Sequence, residues 1–201
     1  MTERGYHHGD LRNALLAATK KLVRERGPRG FSVSEAARLV GVSSSAPYRH
    51  FADRDAMLAA AALTGFLELE ERFSQLAVLD DLTTTAARIA REYLDFARED
   101  PARFEVMFTH GIDKAEHDEL LAQTIRIQQR LEATLRRHVP ESDATHRAAE
   151  LWSLAHGTAA LAVGGNMQHV LPENRIGELA EQTATAWARG VLADVARDPS
   201  S

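Results

Sequence analysis

The chain of 201 residues has no cysteine, which excludes a disulfide framework and thiolate metal sites. It has no apolar run near the roughly 18 residues that a membrane-spanning helix needs. Its beginning, MTERGYHHGDLRNALL, has no signal-peptide apolar region, so a soluble cytoplasmic protein is expected. β-branched runs and alternating strand patterns are scarce, and there is neither an internal repeat nor a low-complexity segment. No glycine-rich phosphate loop follows a strand pattern. Ser153 and His156 lie three apart without a nucleophile elbow or an acidic orienter, so an enzyme is not expected. The histidines do not have strong ligand spacing: His7 and His8 are adjacent, while His110 and His117 flank a predicted loop holding Asp113. No metal or cofactor is expected.

What is present is charge, unevenly placed. The chain carries a formal charge of −5, yet residues 1–55 hold ten Lys and Arg against six Asp and Glu. The rest is strongly acidic. A basic partner-binding head on an acidic body fits this asymmetry, and so does an ordinary solvated charge run.

Apolar residues recur at helical spacing almost throughout, which predicts an all-α fold. Leu11, Leu15, Ala18 and Leu22 mark a first helix, with Asp10 as N-cap and Gly27-Pro28 as its stop. Ser34–Val40 form a second, capped by Ser32 or Ser34 and ended by Gly41. A third starts at Ser43 or Ser44. A fourth, capped by Asp53, runs through Leu58, Ala62, Phe66, Leu69 and Phe73. Five more follow: Leu82 to Phe96, a short one holding Phe104, Met107 and Phe108, then Glu116 to His138, Asp143 to Val163, and Pro172 to Arg197. This gives about nine helices: a head over residues 1–54 and a larger helical domain over 55–201.

The stretch GVSSSAPYRHFADRD (Gly41–Asp55) is the most informative. Two helices joined by a turn with Gly41 match a helix-turn-helix, whose second helix enters the major groove N-terminus first. Small hydroxylated residues at its front permit close approach to base edges. Tyr48 can offer its ring to a thymine methyl, and Arg49, His50 and Arg54 can hold phosphate oxygens. Pro47 fits only in a first turn, and proline disfavours helical geometry at Ala46, so an irregular start is expected. The spacing alone also fits a structural corner between two helices.

FSVSEAARLVGVSSSAPYRHFADRDAML (Phe31–Leu58) closely resembles the DNA-binding head of the TetR/AcrR family of transcriptional regulators. The matching elements stand in register: Ser32, Ala36-Ala37, Gly41-Val42-Ser43, Tyr48-Arg49-His50-Phe51 and Asp53-Arg54. GYHHGDLRNALL also looks like the entry to such a head. The departures are Ser44-Ser45-Ala46-Pro47, where many members carry Lys-Gly-Thr-Leu, and Arg54 for a frequent lysine. Trp152, His156 and Gly157 resemble the Trp-His-Gly signature of one subgroup. The resemblance implies that Ser44, Ser45, Ala46 and Tyr48 face bases, while Ser32, Ser43, Arg49, His50 and Arg54 face phosphate. It further implies a ligand-responsive repressor that binds a pseudopalindromic double-stranded DNA operator as a homodimer and is released by a small-molecule inducer.

For the body, the resemblance implies dimerisation through the last two helices. The sequence has apolar surfaces there, with Ile176, Leu179, Thr183, Trp187, Val191 and Val195 expected on one side, though burial within one subunit would use the same stripe. Tyr93, Phe96, Phe104, Met107, Phe108 and Met167 form an aromatic and methionine-rich set that fits either an ordinary core or, by the resemblance, an inducer pocket. His110, Trp152 and His156 are the polar candidates to orient a ligand. A core histidine packed on Trp152 would explain His156 equally. The rival from another class is a helical small-molecule carrier without DNA function.

Overall fold

Prolines, glycines and aspartates set most of the helix ends. The computed structural model describes residues 8–76, 79–109 and 112–197, which contain eight α-helices, four 3-10 turns and no strand. The all-α architecture is as expected. Its residues divide into two compact units, Met1–Leu67 with Pro101–Gln123 and Glu68–Asp100 with Thr124–Ser201.

In the first unit, α1 (His8–Arg26) buries Leu15, Ala18, Leu22 and Val23, a helical spacing of apolar residues. It begins ahead of Asp10, which therefore lies within the helix and not at the N-cap position. Gly27 (φ 70°) and Pro28 end it, since only glycine takes the left-handed region without strain and proline cannot continue the ladder. The next helix, α2 (Val33–Val40), starts at Ser32 and packs on α1 through Ala36 and Ala37. Arg26 and Glu35 join the two helices by an ion pair of 2.7 Å. In α3 (Arg54–Gln75), Asp53 does cap the start, accepting the Ala56 N–H at 2.7 Å.

Asp81 caps α4 (Leu82–Glu99), accepting the N–H groups of Thr83 and Thr84 at 3.2 and 2.9 Å. Pro101 opens α5 (Pro101–Met107), a position where its missing N–H is harmless. The remaining helices are α6 (Asp118–Leu135), α7 (Glu141–Val163) and α8 (Ile176–Arg197). The expected Glu116–His138 helix is shorter at both ends, because a separate 3-10 turn (Lys114–Glu116) precedes it and turns follow Leu135.

The second unit is built on α4, which packs against both α7 and α8. Its core is rich in alanine: Ala86, Ala90, Ala97, Ala148, Ala180 and Ala184 are fully buried. Here the stripe expected on α8 is corrected. Its buried face is Ile176, Gly177, Ala180, Ala184, Ala188 and Val191, while Leu179, Thr183, Trp187 and Val195 are only half-buried beside it. Small side chains let backbones approach closely, so the tightest contact falls on alanine and glycine and the larger residues are displaced to the flanks. Arg72 ties the end of α3 to α4, pairing with Glu68, Glu92 and Glu99 and lying over the Phe96 ring.

Candidate nucleic-acid interface

The site begins where α2 stops. Gly41 sits at φ 78°, and Val42 N–H reaches the Ala37 carbonyl at 3.0 Å while Gly41 N–H reaches Arg38 at 3.2 Å. This is the Schellman arrangement, which needs a left-handed residue. A Cβ on Gly41 would touch nothing, so it is the dihedral that requires glycine here and not space.

The segment that follows corrects one expectation. In place of an α-helix from Ser43 or Ser44 there is a turn and then a 3-10 helix, Pro47–Arg49. Pro47 has no N–H to give the Ser43 carbonyl, which instead accepts from Ala46 at 3.0 Å. Arg49 N–H then reaches Ala46 at 3.2 Å and His50 N–H reaches Pro47 at 2.9 Å, the tighter i to i+3 pattern. Ala46 itself has helical dihedrals, so the irregularity lies in the bonding.

The tight turn sorts its side chains. Pro47 and Phe51 are buried, whereas Ser43, Ser44, Ser45, Tyr48 and Arg49 are exposed, Tyr48 by 55 %. Ala46 and His50 are half-buried. Ser43 and Ser45 share a hydroxyl contact of 3.1 Å. Ser32, half-buried at the front of α2, makes no side-chain capping bond, so its hydroxyl is not used by its own helix. The Arg49 guanidinium has no ion-pair partner among the described residues. A hydroxyl-rich, aromatic and cationic surface is thus held outward by two buried anchors.

Arg54 differs from its neighbours. Its Nη2 donates to the Pro28 carbonyl at 2.6 Å and its Nε to the Phe31 carbonyl at 3.2 Å, with Nη1 on Asp55 at 2.9 Å. It also lies 5.8 Å over the Phe31 ring. The fork fastens the start of α3 to the turn between α1 and α2, a role that spacing did not suggest.

The candidate ligand residues fall into two groups. In the first unit, Phe104 and Met107 are buried and Phe108 is half-buried, with Phe108 5.0 Å from Phe104 and 5.5 Å from Phe66. Lys114, which sequence reasoning passed over, places its Nζ 4.7 Å above Phe66 and 5.5 Å above Phe108. Burial lowers its pKa. In the second unit, Tyr93 and Phe96 are fully buried and Met167 nearly so, while Trp152 is 44 % exposed. The Tyr93 hydroxyl lies 3.0 Å from His156 Nδ1, and the Trp152 ring packs 5.5 Å from the His156 ring. Burial pushes the Tyr93 hydroxyl upward, so it stays protonated and able to donate. His110 lies outside the described residues. A separate apolar cavity of about 30 Å³, edged by Phe73, Ile89 and Leu131, is lined by none of these candidates and holds little more than a water.

Among the described residues no group of three or more His, Asp or Glu is placed to hold a metal, and no helix is long and apolar enough to cross a membrane. Asp113, between the two loop histidines, is occupied in capping the 3-10 turn through the Ala115 N–H at 2.9 Å.

Residues 15–61 match the family model described as bacterial regulatory proteins, tetR family, and residues 86–187 match the tetracyclin repressor-like C-terminal domain. No curated protein matches the chain. Among solved structures, a protein of unknown function from Rhodococcus sp. RHA1 is 29 % identical with a TM-score of 0.72, covering 94 % of this chain and 100 % of that one. A transcriptional regulator from the same organism is 24 % identical, TM-score 0.72, with coverage of 90 % and 97 %. The TetR family transcriptional regulator PfmR from Thermus thermophilus is 21 % identical, TM-score 0.60, with coverage of 87 % and 97 %. With one family model on the head and a second spanning half of the chain, the protein belongs to the TetR family of bacterial transcriptional regulators.

Proposed function

We propose that this regulator is a cytoplasmic, ligand-responsive repressor that binds a pseudopalindromic operator as a homodimer. The observation that carries the reading is the outward surface of Ser43, Ser44, Ser45, Tyr48 and Arg49 above buried Pro47 and Phe51. In it Ser44, Ser45, Ala46 and Tyr48 read base edges, and Ser32, Ser43, Arg49 and His50 hold phosphate. Arg54 serves the interface indirectly, since three of its five N–H groups are taken by Pro28, Phe31 and Asp55.

A dimer places two such surfaces about 34 Å apart, one duplex turn. For its interface we propose the outer faces of α7 and α8, where Trp152, Leu161 and Leu192 remain 44, 49 and 38 % exposed. Large apolar side chains left in water on neighbouring helices mark a surface that gains by being covered. For the inducer we propose contacts from half-buried His156, whose Nδ1 lies 3.0 Å from the Tyr93 hydroxyl within the second unit; Phe108 and Lys114 are a separate candidate within the first. Buried Tyr93 and Phe96 belong to the same unit as His156, and buried Phe104 and Met107 to the same unit as Phe108.

Fluorescence anisotropy with the chain's own upstream duplex tests the reading. Tyr48→Ala and Arg49→Ala should each weaken specific binding roughly tenfold or more, while light scattering still reports a dimer. A carrier without DNA function would give no salt-sensitive specific complex. Loss of the dimer in both variants would make the segment structural and sink the assignment.

A further inference from the structure

Behind the proposed reading surface lies a cleft of about 270 Å³ whose lining residues all belong to the first unit. Its floor is Phe51, Ala56, Ala59, Ala60 and Leu63, where three alanines on one face of α3 leave a shallow apolar slot. Its polar groups come from three other places: Arg12 on α1, His50 after the 3-10 turn, and His117, Asp118 and Glu119 at the start of α6.

Two features mark this cleft. Arg12 is half-buried with its guanidinium 5.4 Å over the Phe51 ring, yet it has no carboxylate partner among the described residues. Asp118 and Glu119, exposed in the first turn of α6 where acids also complement the helix dipole, line the same cleft and have no ion pair among the described residues. One cation and two carboxylates therefore face a shared space without closing on each other. A molecule bridging them would need an anionic end for the Arg12 fork, a cationic end for the carboxylates, and an apolar part for the alanine floor. A plain organic anion would meet two like charges at the rim, and a plain cation would meet Arg12. The volume falls just under the roughly 300–1,000 Å³ of pockets for drug-sized ligands, which suits a small metabolite.

We propose that this cleft is a binding site for an amino-acid-like zwitterion with an apolar side chain. Because His50 and Phe51 directly follow Tyr48 and Arg49, an occupant would also fix the rear of the reading segment. That regulatory consequence rests on the DNA-binding reading, whereas the binding itself does not.

The test is calorimetric titration of the full chain, without DNA, using L-phenylalanine, L-phenylalaninamide and N-acetyl-L-phenylalanine. Saturable binding of the zwitterion is expected, with both blocked compounds at least tenfold weaker. Arg12→Gln and, separately, Glu119→Gln should each weaken it at least tenfold. Ala60→Leu, which fills the slot from a half-buried helix position, should abolish it while circular dichroism stays helical. Absence of zwitterion binding, equal binding of the acetylated compound, or indifference to Ala60→Leu overturns the site. A second arm measures operator affinity with and without L-phenylalanine. Zwitterion binding that leaves this affinity unchanged keeps the site and removes only its link to DNA.

Discussion

Replacing Arg54 by methionine separates fastening the head from touching the operator. Three charge-assisted bonds are lost: an exposed one to Asp55 at 2.9 Å, which contributes little, and two that hold the turn, to the Pro28 carbonyl at 2.6 Å and to the Phe31 carbonyl at 3.2 Å. Such bonds contribute about 1.5–3 kcal/mol each when their partner is left unsatisfied. Both carbonyls here are only part-buried and the side chain is 40 % exposed, so water compensates much of the loss. A net destabilisation of about 2 kcal/mol is expected, which for a chain of this size lowers Tm by roughly 4–8 °C at fixed protein concentration. Methionine keeps an unbranched apolar side chain beside Phe31 but removes the charge. The discriminating measurement is the dependence of operator affinity on salt. Each phosphate contact contributes about 0.9 to the logarithmic slope, doubled in a symmetric dimer. Arg49→Met should reduce the slope by about 1.8, and Arg54→Met should leave it unchanged in the temperature range where the variant is folded. If Arg54→Met instead keeps the wild-type Tm and flattens the slope as Arg49→Met does, Arg54 is a phosphate ligand and the fastening argument fails.

Three further outcomes follow from the packing. Gly65→Ala should destabilise despite a helix-propensity gain of about 1 kcal/mol, because the new Cβ would fall 2.5 Å from Met107 Sδ in a buried position; overpacking of this kind costs roughly 1–3 kcal/mol. Urea unfolding checks it, and the same change in a Met107→Ala background should reverse sign. Hydrogen bonds from the Thr84 and Thr83 side chains, with their backbone N–H groups, hold the Asp81 carboxyl well below the usual carboxylate range. A depressed carboxyl contributes stability above its unfolded value near 3.9 and loses it as pH falls through the folded value, so Asp81→Asn should remove part of the acid sensitivity below about pH 4. Lys114 shows the opposite bias: burial lowers its pKa, so the unfolded chain binds the proton more readily and stability should rise with pH on approach to 10.5. In Lys114→Met that alkaline gain in the unfolding profile should vanish.

How far these elements could be read in advance depended on whether a local rule decided them. Gly41 ends α2 because its own dihedral requires glycine, and Asp53 and Asp81 cap because a short carboxylate reaches the N–H groups two or three residues on. Such rules act within a few residues, so the end of α2 and the starts of α3 and α4 were legible. The buried face of α8 was not. Hydrophobic periodicity weights Leu179 and Trp187 above Ala180, Ala184 and Ala188, yet the closest helix contact favours the smallest side chains. The exposure of Ser43, Ser44, Ser45, Tyr48 and Arg49 was legible from composition, since serines, tyrosine and arginine around a proline leave few groups to bury. Arg54 was not, because its partners Pro28 and Phe31 lie 26 and 23 residues away and are backbone atoms that no motif names. Lys114 escaped for the same reason: its rings, Phe66 and Phe108, belong to other segments.

Pro47 links these observations. In an ordinary recognition helix the N–H at that position would join the ladder and the following side chains would advance by about 100° per residue. Without it, the segment tightens to a single 3-10 turn in which side chains three apart nearly eclipse. Tyr48 and Ser45, three apart, are both exposed, while Pro47 and Phe51, four apart and joined by the Phe51 N–H to Pro47 carbonyl bond of 3.0 Å, are both buried. A turn this short has few bonds of its own, so its orientation depends on what lies behind it. On one side that support is firm, with Arg54 holding Pro28 and Phe31 by two hydrogen bonds. On the other it is the cleft lined by Arg12 and His117, where the Arg12 guanidinium lies 5.4 Å over the Phe51 ring. An occupant of the proposed zwitterion site would bear on this segment from behind, where a full α-helix at Ser43–His50 would carry more hydrogen bonds of its own.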